Sequence, residues 1–280
     1  LVGGDLFPAR RHLVPAVVVL TYLATIYIAS RVPAEGPVPP VLREGALYLV
    51  TLALALALDP MNVAAKEERW EWDGEAVGGL LSTPFGTQPP LLAVDPGGCL
   101  PYFSKLPSVD MLGINDYYLA RHRPADFGTG YLGHELGNGA YVLSRKPDLV
   151  LFNVPAGGTK PKFRSGVEMT KDPNGEFAST FRAVTLECVA PRPVTSIIWM
   201  RTEGGPIGVE RSGDRIRIPG YLFSDNTRSR ARLDDQGRLG VAVLPQTSAE
   251  IAGLSVPPGT WTVRVEGTGA DGVALYVENA

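Results

Sequence analysis

The sequence predicts a membrane α-helical hairpin, then a small α/β unit with a largely parallel sheet, then a C-terminal antiparallel β-sandwich of the jelly-roll kind. Three observations lead to this prediction. Two long apolar runs occupy the N-terminal region. Short, continuously apolar runs then alternate with helix-like segments, and apolar and polar residues alternate along the C-terminal part. The predicted divisions are 1–60 for the hairpin, 61–155 for the α/β unit, 156–178 for a polar linker and 179–280 for the sandwich.

The two N-terminal apolar runs are long enough to form membrane-spanning helices. The first, LVPAVVVLTYLATIYIAS, has no charged residue, and the second, VLREGALYLVTLALALALD, carries Arg43 and Glu44 near its start. About 20 apolar residues cross the hydrocarbon core, and an arginine at a helix end can extend its charge to the interface. The proline-rich link RVPAEGPVPP indicates a tight turn. We therefore expect spans at about 13–30 and 41–58, with 61–280 on the extracytoplasmic side.

A secretory signal peptide is the alternative interpretation of the first run. Arg10 and Arg11 would form its basic end, and Ala29 and Ser30 its small-residue exit. The run is long for a signal peptide, and a second apolar run follows it at once, so the hairpin is favoured. Either interpretation delivers the soluble part outside the cytoplasm.

Three continuously apolar runs predict strands that are covered on both faces. They are LLAVD from 91, PSVDMLG from 107 and DLVLFN from 148. Between them, GCLPYFS, NDYYLARH and GNGAYVLSRK predict short helices, and this alternation predicts a largely parallel sheet. In such sheets, ligands bind beyond the carboxyl ends of the strands. Asp95, Asp110 and Asn153 would lie at those ends.

A dense polar cluster follows the second of these strands. Asp110 ends the strand and precedes a Met-Leu-Gly turn, where we expect no capping role for it, so its position favours a functional role. For Asn115 we prefer a helix N-cap, because a short side-chain acceptor satisfies free backbone N–H groups there, and Asp116 could do the same. His134 and Glu135 lie in a glycine-rich loop, the kind of loop that carries binding sites. Asp110, Asp116 and His134 are the predicted substrate-binding residues of this region.

Charge and metal-ligand content exclude some functions. The net charge is −3 and no basic block occurs, so we expect no nucleic-acid partner. The two cysteines and three histidines have unrelated spacings and match no zinc motif. A divalent-metal site built from Asp110, Asp116, His134 and Glu135 is conceivable, but its spacings match no ligand motif. No metal ligand and no catalytic residue is therefore predicted.

The C-terminal part has the pattern of short antiparallel strands. Apolar and polar residues alternate between turn residues, and DDQGR indicates a hairpin turn. Trp199 and Trp261 fall on strand patterns. An exposed tryptophan could stack on a sugar ring, but a buried core tryptophan is the commoner case.

Several motifs together resemble a known family. VGGDLFPARRHLVP before an apolar span, then VDMLGINDYYLARHRP and GHELGNGAYVLSRKPDLVLFN, look like the C-terminal third of bacterial GT-C-class membrane glycosyltransferases. The most similar members are arabinofuranosyltransferase-like and protein-mannosyltransferase-like. The resemblance covers most of 1–155 and is only architectural beyond 178. These motifs are specific to the group but not to any donor or acceptor.

The resemblance implies an enzyme of the bacterial inner membrane that uses a polyprenyl-phosphate-linked sugar as its donor substrate. We predict no cofactor and leave a divalent metal requirement open. The sugar would pass to a cell-envelope glycan or protein acceptor at the outer face of the membrane. In that class the catalytic carboxylate usually lies in the first extracytoplasmic loop, near the true N-terminus. This chain lacks that region, so we expect it to be inactive by itself.

An arginine pair would suit the lipid donor of such an enzyme. Arg10 and Arg11 precede the first span, where forked guanidinium groups could hold the departing lipid phosphate. They could equally anchor the span among headgroups. Asp5 could orient these arginines or contact the acceptor, and it joins them as a predicted substrate-binding residue.

Two other classes of function compete with the transferase. The first is a membrane-tethered, non-catalytic carbohydrate-binding or assembly module. The second is an extracytoplasmic hydrolase that uses Asp110 and His134, which ranks last because no nucleophile motif such as G-x-S-x-G occurs.

Overall fold

The computed structural model describes most of the chain between residues 14 and 265. The described residues are 14–31, 39–58, 60, 70–85, 88–95, 97–130, 133–153, 157–224, 229–242, 249–251 and 254–265, with only the backbone for 70–72. The chain divides into two compact units. The first is 1–70 with 131–133, and the second, called the soluble body below, is 71–130 with 134–280.

Two long helices form the first unit. α1 spans Val14–Arg31 and α2 spans Pro40–Ala57, which confirms the two predicted helices to within about a residue. α2 begins with a proline, which is favoured at the first helical position because its missing N–H would be unpaired there. The two helices pack together, with Tyr22 and Tyr48 edge to face at 6.0 Å between ring centroids.

The helix pair exposes its apolar side chains instead of burying them. In α1, Thr21, Thr25 and Ala29 are buried along one stripe, and α2 has no buried residue. Leu20 and Leu49 are each 64% exposed. A core helix of a soluble protein would bury such residues, whereas a lipid-facing helix exposes them. Both helices are long and apolar enough to cross a membrane.

The soluble body is built on a seven-stranded mixed sheet of order β2-β1-β3-β5-β4-β8-β9. A separate hairpin joins β6 to β7. The strands are β1 Leu92–Val94, β2 Ser108–Asp110, β3 Leu149–Leu151, β4 Phe181–Cys188, β5 Val194–Arg201, β6 Glu210–Ser212, β7 Arg215–Arg217, β8 Arg230–Leu233 and β9 Leu239–Ala242. The helices are α3 Trp70–Leu81, α4 Cys99–Ser104, α5 Gly139–Ser144, α6 Arg164–Thr170 and α7 Glu176–Thr180.

The first three strands form the parallel part of the sheet. β1 pairs in parallel with β2 on one side and with β3 on the other, which confirms the predicted parallel unit. The connections through α4 and α5 place the three carboxyl ends at one edge. Beyond β3 most pairs are antiparallel, and β4 with β5 is the longest of them, running from Phe181 with Arg201 to Cys188 with Val194.

Successive strand residues face two different apolar clusters. Leu92 and Val94 join a cluster with α3 residues such as Val77. Ala93 and Val150 join a second cluster that contains Val142 of α5 and Met169 of α6. The period-two alternation of a strand explains this division. Both faces of the parallel part are therefore covered, as the continuous apolar runs predicted.

The predicted division after the α/β unit is not seen among the described residues. β3 pairs with β5, so the strands of both predicted parts belong to one sheet. The predicted linker 156–178 contains α6, where Gly166 and Met169 are buried, so it is part of the packed body and not an exposed connection. β4, β5, β8 and β9 extend the same sheet, β6 and β7 form the separate hairpin, and no jelly-roll arrangement appears among the described strands. The last predicted strand lies outside the described residues.

The hairpin predicted at DDQGR is confirmed. β8 and β9 pair in antiparallel fashion across Asp234–Arg238. The Asp234 carboxylate accepts hydrogen bonds from the backbone N–H groups of Gln236 and Arg238 at 2.9 Å each. Gly237 has a φ of +75°, a conformation that glycine adopts without steric cost.

The helix predicted for NDYYLARH is wrong. Residues 117–121 form only turns, with single hydrogen bonds from the N–H of Ala120 to the carbonyl of Asp116 and from His122 to Tyr118. Only Leu119 of this stretch is fully buried. One apolar anchor cannot hold several helical turns against the body, so the segment stays irregular.

Candidate functional site

A cleft of about 480 Å³ opens at the carboxyl ends of β1 and β2. Its floor includes Val94 at the end of β1, and α4 contributes one wall. Two glycines, Gly97 and Gly98, bring the chain close to the cleft. The polar side chains that line it are those of Tyr102, Ser108, Asp110, Asn115 and Asp116. Two of the predicted site residues, Asp110 and Asp116, therefore lie in one cleft.

Asp110 lines the cleft but is also a structural anchor. Its carboxylate accepts hydrogen bonds from the backbone N–H of Leu112 at 2.9 Å and of Asn115 at 2.6 Å. The expectation that Asp110 had no capping role is therefore wrong, because it closes the turn that follows β2. Burial raises the pKa of the Asp110 carboxyl, and the backbone N–H groups of Asn115, Leu112 and Ile114 partly oppose that rise.

Asp116 has the capping role that was expected for Asn115. Asp116 is the capping residue, because its Oδ1 accepts from the backbone N–H of Leu119 at 2.9 Å, whereas the Asn115 amide donates to the carbonyl of Gly97 at 3.1 Å. The Asp116 Oδ2 also accepts from the hydroxyl of Tyr141 at 3.1 Å. Each carboxylate oxygen has two lone pairs, so Asp116 can still accept a ligand hydroxyl.

Asp95 is a fully buried carboxyl group directly after β1. Its Oδ2 accepts from the backbone N–H of Asn153 at 2.7 Å, and its Oδ1 has no hydrogen-bond partner among the described residues. Burial, with the Asp110 charge as a smaller cause, raises the pKa of Asp95 to about 7, against the opposing Asn153 hydrogen bond. Asp95 thus ties β1 to the end of β3 next to the cleft, largely as the neutral acid below that pH.

Asn153 organises a loop and does not line the cleft. Its side chain donates to the carbonyl of Lys160 at 2.6 Å and accepts from the backbone N–H of Lys162 at 3.0 Å. Its φ of +55° is in the left-handed region, which asparagine tolerates better than most residues. The three strand ends therefore contribute differently: of their polar side chains, only those at the end of β2 and in the turn after it line the cleft.

His134 and Glu135 do not line the cleft. The His134 ring stacks on Phe163 at 4.8 Å between centroids, and Glu135 accepts from the backbone N–H of Gly130 at 2.9 Å. Among the described residues, no group of three or more His, Cys, Asp and Glu side chains is placed to hold a metal ion. The conceivable metal set of Asp110, Asp116, His134 and Glu135 is therefore not assembled.

Some residues of the site were not predicted from the sequence. Tyr102 is an exposed aromatic wall of the cleft, with the Lys105 ammonium 4.0 Å from its ring centroid. The Tyr141 hydroxyl donates a hydrogen bond to the Asp116 carboxylate. The sequence around these two tyrosines does not indicate a role in a site, because an aromatic residue on a short helix is usually expected to pack in the core. The predicted residues Asp5, Arg10 and Arg11 lie outside the described residues.

Comparison with known proteins gives one match. A family model described as a domain of unknown function (DUF8728) is similar to residues 64–195, just under half of the chain. No curated protein and no solved structure matches. The matched segment runs from before α3 to the first residues of β5 and so includes the residues that line the cleft.

Proposed function

We propose that this chain is the C-terminal portion of an integral-membrane glycosyltransferase. The enzyme transfers a sugar from a polyprenyl-phosphate donor to a cell-envelope glycan or protein acceptor, on the extracytoplasmic side of the bacterial inner membrane. The cleft binds a saccharide unit of the acceptor. The catalytic base belongs to a more N-terminal region of the full-length protein, as the resemblance of VDMLGINDYYLARHRP and its neighbouring motifs implies.

One observation carries the proposal. A polar cleft with two carboxylates, an amide and an exposed tyrosine lies in a body that follows two lipid-compatible helices. Sugars offer many hydroxyl donors and one weakly apolar ring face. Carboxylate and amide oxygens accept from the hydroxyls, and a tyrosine ring packs against the ring face.

The partners of the cleft carboxylates favour binding over chemistry. Asp110 and Asp116 each already accept two hydrogen bonds that hold the surrounding loops. A general base must be free to take up a proton from the acceptor hydroxyl. We therefore assign these two residues to acceptor binding. The same observation favours the second candidate, a membrane-tethered, non-catalytic carbohydrate-binding or assembly module.

Asp116→Asn in the full-length enzyme tests the cleft. An asparagine can still accept from the N–H of Leu119 through its Oδ1 and can donate through its Nδ2 to the hydroxyl oxygen of Tyr141. The loop should therefore keep its conformation while the charge is lost. A charge-assisted hydrogen bond contributes about 1.5–3 kcal/mol, so the acceptor KM should rise roughly 10- to 100-fold. The KM for the polyprenyl-phosphate sugar should stay unchanged, because the donor is held elsewhere.

Asp172→Asn is the matched control. Asp172 also accepts backbone N–H groups in a turn, from Asn174 and Glu176, but it does not line the cleft. Its replacement should leave both KM values unchanged. An unchanged acceptor KM in Asp116→Asn would remove the acceptor from this cleft, and an equal rise in both variants would show a nonspecific charge effect.

A further inference from the structure

The segment 114–127 exposes large apolar and aromatic side chains at the surface of the soluble body. Ile114 is 66% exposed and Tyr117 is 74% exposed, and Phe127 is also exposed. Ile114 and Tyr117 directly flank the two cleft residues Asn115 and Asp116. Leu119, which is fully buried, anchors the segment to the body. The apolar side chains therefore project from an anchored rim of the cleft, not from a loose tail.

Two arginines of this segment lie on aromatic rings instead of against carboxylates. The Arg121 guanidinium carbon is 3.6 Å from the ring centroid of Tyr117, and that of Arg123 is 4.9 Å from the ring centroid of Phe127. Neither arginine has a carboxylate partner among the described residues. Six other arginines of the body, Arg192, Arg201, Arg211, Arg217, Arg230 and Arg238, each pair with an Asp or Glu. Arg145 and Arg182 instead donate to the Tyr141 hydroxyl and to the carbonyl of Glu250.

Asp126, the acidic residue of 114–127 that does not line the cleft, has an arginine partner of its own. It lies 2.7 Å from the Arg164 guanidinium, which holds the pKa of that carboxyl below its usual range. In the part of the chain that the structure describes, no carboxylate therefore forms an ion pair with Arg121 or Arg123. Aromatic rings combined with unpaired arginines form the composition that proteins place at membrane interfaces, where the rings enter the headgroup layer and the cations meet anionic lipid.

We propose that 114–127 is a membrane-docking rim, which rests on an anionic lipid surface and turns the cleft toward the headgroup layer. The proposal rests on the membrane attachment included in the proposed function. Only residues 58–69 separate α2 from the soluble body in sequence, so a lipid surface that holds α2 is within reach of the same chain. A docked rim would bring the cleft to the depth at which lipid-linked saccharides are presented.

Photocrosslinking in nanodiscs tests the rim. The chain carries p-benzoylphenylalanine in place of Tyr117 and is placed in nanodiscs of phosphatidylcholine, with or without phosphatidylglycerol. Mass spectrometry then measures the lipid adduct. We expect an adduct at 117 that rises with the phosphatidylglycerol content. The same label in place of Val189, which is 73% exposed in the same body, is the matched control and should give little adduct.

A charge variant separates docking from chance contact. Arg121→Gln with Arg123→Gln should lower the adduct at 117 at least about fivefold in anionic nanodiscs, because each arginine near an anionic surface contributes about 1 kcal/mol. The control pair Arg217→Gln with Arg230→Gln removes two exposed, carboxylate-paired arginines and should leave the adduct unchanged.

Equal lipid-adduct yields at positions 117 and 189 would contradict the docking rim. So would an adduct yield at 117 that depends neither on phosphatidylglycerol nor on Arg121 and Arg123. The result is independent of the kinetic test of Asp116. A lipid adduct without any glycosyl transfer would leave the rim standing and reject the transferase, and transfer without an adduct would do the reverse.

Discussion

Gly78→Ala is expected to destabilise the soluble body by roughly 1–3 kcal/mol, the usual range for overpacking a close contact. α3 crosses α4 at this residue, and a Cβ there would lie 2.7 Å from the carbonyl oxygen of Leu100 and 3.0 Å from the backbone nitrogen of Ser104. Both contacts are with backbone, which cannot rotate away as a side chain can. Thermal unfolding in detergent micelles measures the effect.

The neighbouring glycine provides the control for this prediction. A Cβ at Gly79 would meet no atom within 4 Å. Gly79→Ala should therefore stabilise the body by up to about 1 kcal/mol, through the higher helix propensity of alanine. If both variants shift the unfolding temperature in the same direction, the close crossing of α3 and α4 is contradicted. Because α4 carries Tyr102, Gly78→Ala should also weaken acceptor binding, and Gly79→Ala should not.

The second large effect concerns pH. Between about pH 4 and pH 7, the free energy of unfolding should fall by up to about 4 kcal/mol because of Asp95 alone. The pKa of Asp95 is near its ordinary value of 3.8 when the chain is unfolded and about 7 when it is folded. Over that interval the unfolded chain loses a proton that the folded chain keeps, so rising pH favours unfolding. Below about pH 4 both states are protonated and the penalty is absent.

Asp95→Asn should remove most of this pH dependence. An asparagine is nearly isosteric, can accept from the N–H of Asn153, and stays neutral at every pH. The variant should resemble the parent near pH 4 and exceed it in unfolding free energy at pH 8, as measured by thermal unfolding across the range. Asp172→Asn controls for the loss of a half-buried carboxylate elsewhere in the body. Equal slopes for the parent and Asp95→Asn would contradict the burial of a neutral acid at this position.

The parallel part of the fold was predictable because its signal is local. Each of the first three strands is a short, continuously apolar run, and only a strand covered on both faces has that pattern at that length. Asp95 and Asp110 could be placed at strand ends for the same reason. The two N-terminal helices were equally predictable, because an apolar run of that length is typical of a membrane-spanning helix.

The pairing of β3 with β5 was not predictable, because it depends on long-range register. The predicted linker 156–178 carries lysines, an arginine and glycines, a composition typical of an exposed segment. In the fold, however, a Cβ at Gly166 would lie only 2.8 Å from a ring atom of Phe152. The absence of a side chain at one position thus allows α6 to enter the core. Likewise, the turn-closing role of Asp110 was not predictable, because its hydrogen-bond partners are backbone N–H groups, which no sequence pattern displays.

The assignment of roles within the cleft depended on details of a turn. Asn115 and Asp116 are adjacent, and either can cap a helix by residue type. In the fold no helix follows, and Asp116 closes the turn, whereas Asn115 bonds to Gly97, eighteen residues earlier. Tyr102 lines the cleft and Tyr141 bonds to Asp116 from a separate helix, so only the assembled fold identifies these two tyrosines.

A transfer assay tests the central claim most directly. Membranes that contain the full-length gene product are supplied with labelled polyprenyl-phosphate pentose or hexose, and the label is followed into cell-envelope glycan and protein. We predict transfer of the label to such an acceptor, with a loss at low acceptor concentration in Asp116→Asn. If these membranes bind cell-envelope glycan but no label moves from any such donor, the protein is a binding module and the transferase is contradicted.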